Sequence, residues 1–225
     1  MTLGCAAAAA QAQPSWFQFE ASLGGSGYSK GPDGYWYQDG FRHNLQLTAP
    51  AVEVGFAGNL YDSARWGVDW HADYAWLGTI HTDAWAVPVD ANYNTRTKGC
   101  NGPCMPLAEY KGSGHEAGFL FTLEPYFKFG DGQRIGIEAG PFVHRATWNM
   151  QVSDWQANGV EPATSLNLFD TNGWRVGAVA GLTYSYGRVS LVYQHFFTKS
   201  AASTSVPPIW HSVDMLTMRY TADIF

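Results

Sequence analysis

The chain alternates apolar and polar residues in eight separate segments. In the clearest of them, which runs from Trp66 to Trp76, aromatic and aliphatic residues at every second position alternate with Gly, Asp and His. Strict alternation puts the two sets on opposite faces of a β-strand, so the pattern predicts eight amphipathic strands. Pro50 interrupts the alternation of the second segment, and we expect a β-bulge there. The eight segments begin near Trp16, Leu45, Trp66, Phe119, Ile135, Trp174, Val189 and Leu216.

The connections between these segments alternate between short and long. The short ones are 58–63, 130–133 and 186–188, and the long ones are 27–43, 78–115, 150–171 and 198–211. Outer-membrane barrels have this layout, with short periplasmic turns and long surface loops. An even number of strands places both chain ends on the periplasmic side.

The composition indicates whether the apolar strand faces contact lipid or a protein core. Aromatic residues make up 16% of the chain and charged residues only 14%, against about 25% in soluble domains. The net charge of −6 supplies no basic field for nucleic acid, and no run of 18 apolar residues encodes a membrane helix. Aromatic residues at strand ends suggest girdles at the headgroup level. We therefore predict an all-β fold, an eight-stranded antiparallel up-and-down transmembrane β-barrel, and prefer it to a soluble barrel.

The order and number of these strands resemble the small eight-stranded outer-membrane barrels, the OmpA-, OmpW- and opacity-like group. The resemblance covers nearly the whole chain and includes Phe225, which is similar to the C-terminal signal read by the barrel-assembly machinery. One departure is Asp223, because the group usually has an aromatic residue at that position. The resemblance implies a location in the Gram-negative outer membrane, reached through the periplasm.

The N-terminal residues and the cysteines suggest an exported protein. Residues 1–12 end in an Ala-x-Ala pattern and are predicted to be the remnant of a signal peptide, which leaves 13–225 as one barrel domain. A disordered tail, or a lipoprotein anchored through Cys5, are the alternatives. Cys100 and Cys104 lie in a Cys-Asn-Gly-Pro-Cys turn and are predicted to form a disulfide, with free thiols as the alternative.

The polar strand faces predict the contents of the barrel interior. Eight strands enclose a space that side chains fill, so charges there must pair with one another. Asp69, His71 and Asp73 share one strand face, but a metal site needs ligands that converge from other strands, so we expect no metal and no cofactor. The predicted interior network is Glu20, Glu53, Asp69, His71, Asp73, Glu124, Lys128, Glu138, His144, Arg175 and Arg219.

One histidine falls in the outward, lipid-facing register. His195 and the acidic Asp214 both lie toward the outer rim, an arrangement similar to the site of outer-membrane lipid A deacylases. Those enzymes carry a nucleophilic Ser two residues after the His, and this chain has Phe197 there. The interpretation we prefer is an interfacial His without catalysis. The alternative is a lipid A or phospholipid acyl hydrolase that uses His195 and Asp214.

These observations predict a structural or surface protein rather than an enzyme. The long segment 78–115 is the predicted site for a surface ligand, because long loops on a rigid scaffold carry recognition. The other expected partners are outer-membrane lipid, lipopolysaccharide and the barrel-assembly machinery, and no nucleic acid is expected. A narrow channel for small solutes through the interior is a second alternative.

Overall fold

The structure is a computed structural model in which residues 16–30, 43–86, 108–153, 166–171, 173–198, 200–203 and 206–224 are described. These residues form eleven β-strands: β1 Gln18–Lys30, β2 His43–Gln46, β3 Thr48–Asp62, β4 Trp66–Ala86, β5 Ala108–Lys128, β6 Gln133–Ser153, β7 Leu166–Thr171, β8 Trp174–Tyr186, β9 Val189–Phe197, β10 Ser200–Ser203 and β11 Val206–Asp223. The predictions for residues 1–12, for Cys100 and Cys104, and for Phe225 fall outside the described residues.

Eight of the strands close into one antiparallel barrel. Their order is β1-β3-β4-β5-β6-β8-β9-β11, and β11 pairs back with β1 from Gln18–Asp223 to Lys30–Trp210. The three short strands lengthen the wall at one end, where β2 pairs with β4, β7 with β6 and β10 with β11. Closure leaves no free edge among the eight strands, which satisfies the backbone without water. No helix within the described ranges could cross a membrane.

The two ends of the barrel differ. At the turn end, short turns over 63–65, 129–132 and 187–188 join the strands, and Gly130, Gly132 and Gly187 have positive φ there. At the opposite end, the loop end, the strands run further than the sequence indicated. The predicted loop 78–115 is therefore wrong at both of its ends, because β4 continues to Ala86 and β5 begins at Ala108. Backbone pairing between the two strands makes these segments regular despite their Gly and polar residues.

The outward face carries an apolar band of defined height. On β4 the outward residues are aromatic or aliphatic from Trp66 to Trp76, a span of eleven residues, and beyond it they are polar, as at His81 and Asp83. The neighbouring strand β5 changes in the same way, from exposed Phe119 to Lys111. A strand of about 9–11 tilted residues crosses a bilayer. The band therefore marks the membrane, and the outer parts of β4, β5 and β6 project beyond it.

The β-bulge expected at Pro50 is wrong, because β3 alternates in burial through Pro50 and pairs with β1 without a register shift there. The irregularity lies on the facing strand β4, between Trp76 and Thr79. Gly78 on the facing strand has a φ of 82°, and a Cβ atom there would lie 2.2 Å from the carbonyl oxygen of Pro50. Glycine is the residue that accommodates both the conformation and the close approach.

Candidate functional site

The interior of the barrel centres on one guanidinium group. Arg219 of β11 is 2% exposed and lies among carboxylates from β1, β3, β5 and β6. The nearest nitrogen–oxygen distances are 3.2 Å to Glu138, 3.6 Å to Glu20, 3.7 Å to Glu53 and 4.0 Å to Glu124. Each of these positions faces inward because it has the same parity as the buried residues of its strand. A single cation thus connects five strands through the barrel axis.

His71 links two of these carboxylates. Its Nδ1 atom lies 2.8 Å from Glu20 Oε1, and its Nε2 atom lies 3.1 Å from Glu124 Oε2. Arg219 lies on the same side, with Nη1 3.4 Å from Nδ1 of the imidazole. The imidazole therefore bridges β1 and β5 across the interior, and both of its nitrogens face acidic groups.

Neutral donors hold the carboxylates in place. Thr122 and the amide of Gln194 both donate to Oε1 of Glu138, at 2.7 and 3.1 Å. The hydroxyl of Thr183 donates to Oε1 of Glu124. Charge-assisted hydrogen bonds of this kind are about twice as strong as neutral ones. The network is therefore built from uncharged as well as charged side chains, and the polar residues opposite each apolar strand face supply them.

The turn end of the interior opens into a small vestibule. Arg134 pairs with Asp69, whose Oδ1 also accepts a hydrogen bond of 2.8 Å from Asn59. The guanidinium of Arg134 lies 4.7 Å from the centre of the Tyr126 ring. These groups line a cavity of about 240 Å³ together with Gln18 and residues of the turns. The vestibule ends at the Asp69–Arg134 pair, two residues along β4 from His71.

A second ion pair lies at the rim of the vestibule, where β3 ends at Asp62 and β5 ends at Lys128. Lys128 donates a hydrogen bond to Asp62, and the hydroxyl of Tyr126 donates another at 2.9 Å. Partial burial would raise the pKa of Asp62, but the Lys128 ammonium and the Tyr126 hydroxyl outweigh it and hold this pKa below its ordinary value of 3.8. Asp62 is therefore more stable as a carboxylate in the folded barrel than in the unfolded chain.

The loop-end half of the interior is mostly apolar and aromatic. Its core includes Phe142, Phe196, Trp148 and Trp210, all fully buried. Within it Glu116 forms a compact polar group: His144 Nδ1 lies 2.6 Å from Oε1, and the indole of Trp210 donates to Oε2 at 2.7 Å. The described side chains fill this half as a plug, and the ionic network fills the half below it.

Nine residues of the predicted interior network are buried inside the barrel: Glu20, Glu53, Asp69, His71, Asp73, Glu124, Glu138, His144 and Arg219. Lys128 is half-buried at the turn-end rim, in its pair with Asp62. Arg175 is exposed, because it lies near the loop-end terminus of β8, where the barrel wall no longer encloses it. Glu116, Arg134 and the aromatic plug were not predicted from the sequence. Their inward parity was the available signal, but Glu116 lies between the predicted loop 78–115 and Phe119, where the fourth segment was taken to begin.

The outward pair predicted at the rim is formed. His195 and Asp214 are directly opposite each other on β9 and β11, with Nδ1 2.7 Å from Oδ1. The hydroxyl of Tyr193 donates to the same carboxylate oxygen at 2.6 Å. The Phe197 ring lies with its centre 4.4 Å from that of the imidazole and approaches it edge-on. A shallow groove of about 670 Å³ runs beside Asp214 over Gly25 and neighbouring small residues of β1 and β3.

A closed barrel with an apolar outer band and an ionic interior is a transmembrane β-barrel. The described strands form a closed eight-stranded antiparallel up-and-down barrel, so the predicted fold is confirmed. No protein-family model matches the sequence, and no curated protein matches it significantly.

Solved structures do match this chain. One is Ail, the attachment invasion locus protein of Yersinia pestis, in complex with the heparin analogue sucrose octasulfate, with 12% identity and a TM-score of 0.38 over 91% of this chain and 98% of that one. Another is Neisserial surface protein A, with 10% identity and a TM-score of 0.38 over 94% of this chain and 99% of that one. These similarities assign no function to this chain.

Removal of the central cation should destabilise the barrel strongly. Arg219→Met leaves four buried carboxylates without their shared partner, and breaking a buried ion pair in this way costs about 3–5 kcal/mol. Urea unfolding in phospholipid vesicles measures the free energy of unfolding. The matched control is Arg188→Met, which removes an exposed pair with Asp223 and should change little. Equal stability of the two variants would show that the network does not hold the barrel together.

The stabilisation from Asp62 should depend on pH. Because its pKa is lowered on folding, its contribution is complete above the ordinary value of 3.8 and is lost as the pH falls through the lowered value. Asp62→Asn should therefore reduce the free energy of unfolding by about 0.2–1 kcal/mol near neutral pH, and the difference should shrink as the pH is lowered below 3.8. Asp131→Asn, in an exposed turn, is the control. A difference that grows on acidification would contradict this assignment.

Proposed function

We propose that this protein is a closed barrel of the Gram-negative outer membrane with a structural or surface-interaction role and without catalysis. The observation that carries the proposal is the filled interior, where an aromatic plug lies above the Arg219 network. A barrel filled in this way anchors and displays its loop end, which leaves that end as the part available to partners. Export through the periplasm and insertion by the barrel-assembly machinery belong to the same proposal.

The strands that project beyond the apolar band support an interaction role. Outward residues on β4, β5 and β6 form a polar surface with a groove of about 380 Å³, to which His81, Asp83, Lys111, Asn149 and Gln151 contribute. The sheet is regularly paired here, so these side chains have fixed spacing. Lipopolysaccharide and a polar surface ligand are the partners that we propose for this part of segment 78–115 and its neighbours.

A filled interior should not conduct. In planar lipid bilayers we expect no stable open level for the inserted protein, because the buried aromatic plug and the Arg219 network both lie across the interior of the described barrel. Heat-modifiable migration on a denaturing gel establishes that the protein in the assay is folded. Reproducible unitary conductance steps from the folded form would contradict a closed barrel and favour the narrow-channel alternative.

A second candidate function is acyl hydrolysis at the outward His195–Asp214 pair. The observation that favours it is the 2.7 Å contact between Nδ1 and the carboxylate, on the lipid-facing surface beside a groove. A carboxylate on Nδ1 orients an imidazole so that Nε2 can accept a proton. Phe197 occupies the position where the deacylases have Ser, so water would be the nucleophile.

The step balances with water as the only co-reactant. The water oxygen adds to the ester carbonyl carbon while Nε2 of His195 accepts the proton, and the bond between that carbon and the alcohol oxygen then breaks. The imidazolium returns the proton to the leaving alkoxide, and the products are a carboxylic acid and an alcohol. Asp214 stabilises the imidazolium that forms between the two steps.

The hydrolase is tested by the lipids of membranes that contain the protein. Mass spectrometry of lipid A and phospholipids should reveal deacylated products with the wild type and lose them with His195→Ala. The matched control is His211→Ala, an exposed histidine on β11. Lipid profiles that are the same with wild type, either variant or no protein would exclude the hydrolase and leave the non-catalytic role.

A further inference from the structure

Three buried side chains from two strands converge inside the barrel. A carboxylate oxygen of Glu20 on β1, a ring nitrogen of His71 and a carboxylate oxygen of Asp73 on β4 lie within 4.8 Å of one another. We propose that these three residues bind a divalent first-row transition metal such as Zn²⁺. No metal was expected from the sequence because Asp69, His71 and Asp73 lie on one strand. In the structure Glu20 adds a carboxylate from a second strand, β1. The inference goes beyond the proposed function and does not depend on it.

Asp73 is the group that most clearly lacks a partner. Its side chain belongs to a residue that is 3% exposed, and no described group donates a hydrogen bond to either of its oxygens. Its Oδ1 atom lies over Gly55 of β3, where a Cβ atom would be only 2.2 Å away. The glycine thus makes the space into which the carboxylate projects. A buried carboxylate without a donor is costly unless a cation satisfies it.

The surroundings of His71 fit a metal ligand. Nε2 faces Glu124 Oε2 at 3.1 Å, and Nδ1 faces Glu20 at 2.8 Å. A histidine ligand usually donates its other ring N–H to a carboxylate, which fixes the tautomer. With the proton on Nε2 toward Glu124, the lone pair of Nδ1 points at the side where Glu20 and Asp73 lie, and Nη1 of Arg219, 3.4 Å away, offsets part of the repulsion among them. A divalent ion between the imidazole and the two carboxylates would remove the repulsion that remains.

The interior contains more acidic than basic side chains, which favours binding of a cation. Among the described residues, Asp69 is paired with Arg134, and Glu116 lies against His144. Five buried acids remain around Arg219, and His71 is neutral when its Nδ1 binds a metal, so four negative charges are unmatched when all five acids are ionised. Unmatched buried charge is unfavourable, and a divalent ion would offset two of the four. The five acids are Glu20, Glu53, Asp73, Glu124 and Glu138.

The donor set selects the class of metal. One imidazole nitrogen and two carboxylate oxygens suit Zn²⁺ and its neighbours better than Ca²⁺, which takes six to eight oxygen ligands. The vestibule at the turn end offers an approach, because Asp69 lies at its inner wall two residues from His71 on the same strand face. An ion bound only by the folded barrel should stabilise it in proportion to the ion's concentration.

The test refolds the full chain with Zn²⁺ after treatment with EDTA. Because thiols also bind Zn²⁺, the comparison uses a background in which Cys5, Cys100 and Cys104 are replaced by Ser. After removal of free ion, elemental mass spectrometry should find about one Zn²⁺ per folded barrel. Titration should also raise the midpoint of thermal unfolding, and the gel shift on heating confirms that each sample is folded.

Two variants distinguish a cluster that binds Zn²⁺ from one in which the buried acids are protonated and no metal binds. Asp73→Asn should weaken Zn²⁺ binding at least about tenfold, and Glu124→Gln, which removes the carboxylate that faces Nε2 of His71, should weaken it about 10–100-fold. Asp83→Asn, further along β4, is the matched control and should bind as the background does. Absence of bound Zn²⁺ in the folded background protein, or binding unchanged by Asp73→Asn, would overturn the proposal.

Discussion

Hydrocarbon offers no hydrogen-bond partner to a peptide group, and this constraint organises the whole barrel. Eight antiparallel strands satisfy each other's backbone, and the pairing of β1 with β11 removes the last free edge. Once the sheet is closed, successive side chains of each strand point alternately to the outside and to the inside of the barrel. Apolar side chains meet lipid, and polar side chains must meet one another inside.

The second consequence is that the interior must balance its own charge. Arg219 serves four carboxylates because one guanidinium presents five donors in several directions. The aromatic plug has a different role, since Trp148, Trp210 and Phe142 fill the loop-end half with groups that carry no charge. The interior is thus divided into a half filled by the Arg219 network and a mostly apolar half that holds the Glu116–His144 contact.

The fold was predictable because the face on which a residue lies depends on whether its position is odd or even, and this does not change when the ends of the strand are uncertain. Alternation from Trp66 to Trp76 is enough to place Asp69, His71 and Asp73 inside, and the structure places them there. The lengths of the strands were not predictable. The Gly and polar residues of β5 that precede Ala117 lie beyond the apolar band, so their outward side chains are polar and the sequence resembles a loop. Glu116 was missed for this reason.

The candidate sites were less accessible to sequence reasoning than the fold. The convergence of Glu20 with His71 joins residues 51 positions apart, and it depends on barrel register that no local pattern encodes. The contact between His195 and Asp214 was more accessible, because both lie outward near the rim on adjacent strands. What sequence could not supply there is the position of the Phe197 ring against the imidazole.

The most direct test of the account measures which side chains of one strand touch lipid. A spin label placed in turn at residues 119–124 of β5, in vesicles and on a cysteine-free background, reports accessibility to oxygen, which partitions into acyl chains. The account predicts high oxygen accessibility at Phe119, Phe121 and Leu123, and low values at Leu120, Thr122 and Glu124. Uniform values along the strand, or the opposite alternation, would contradict it.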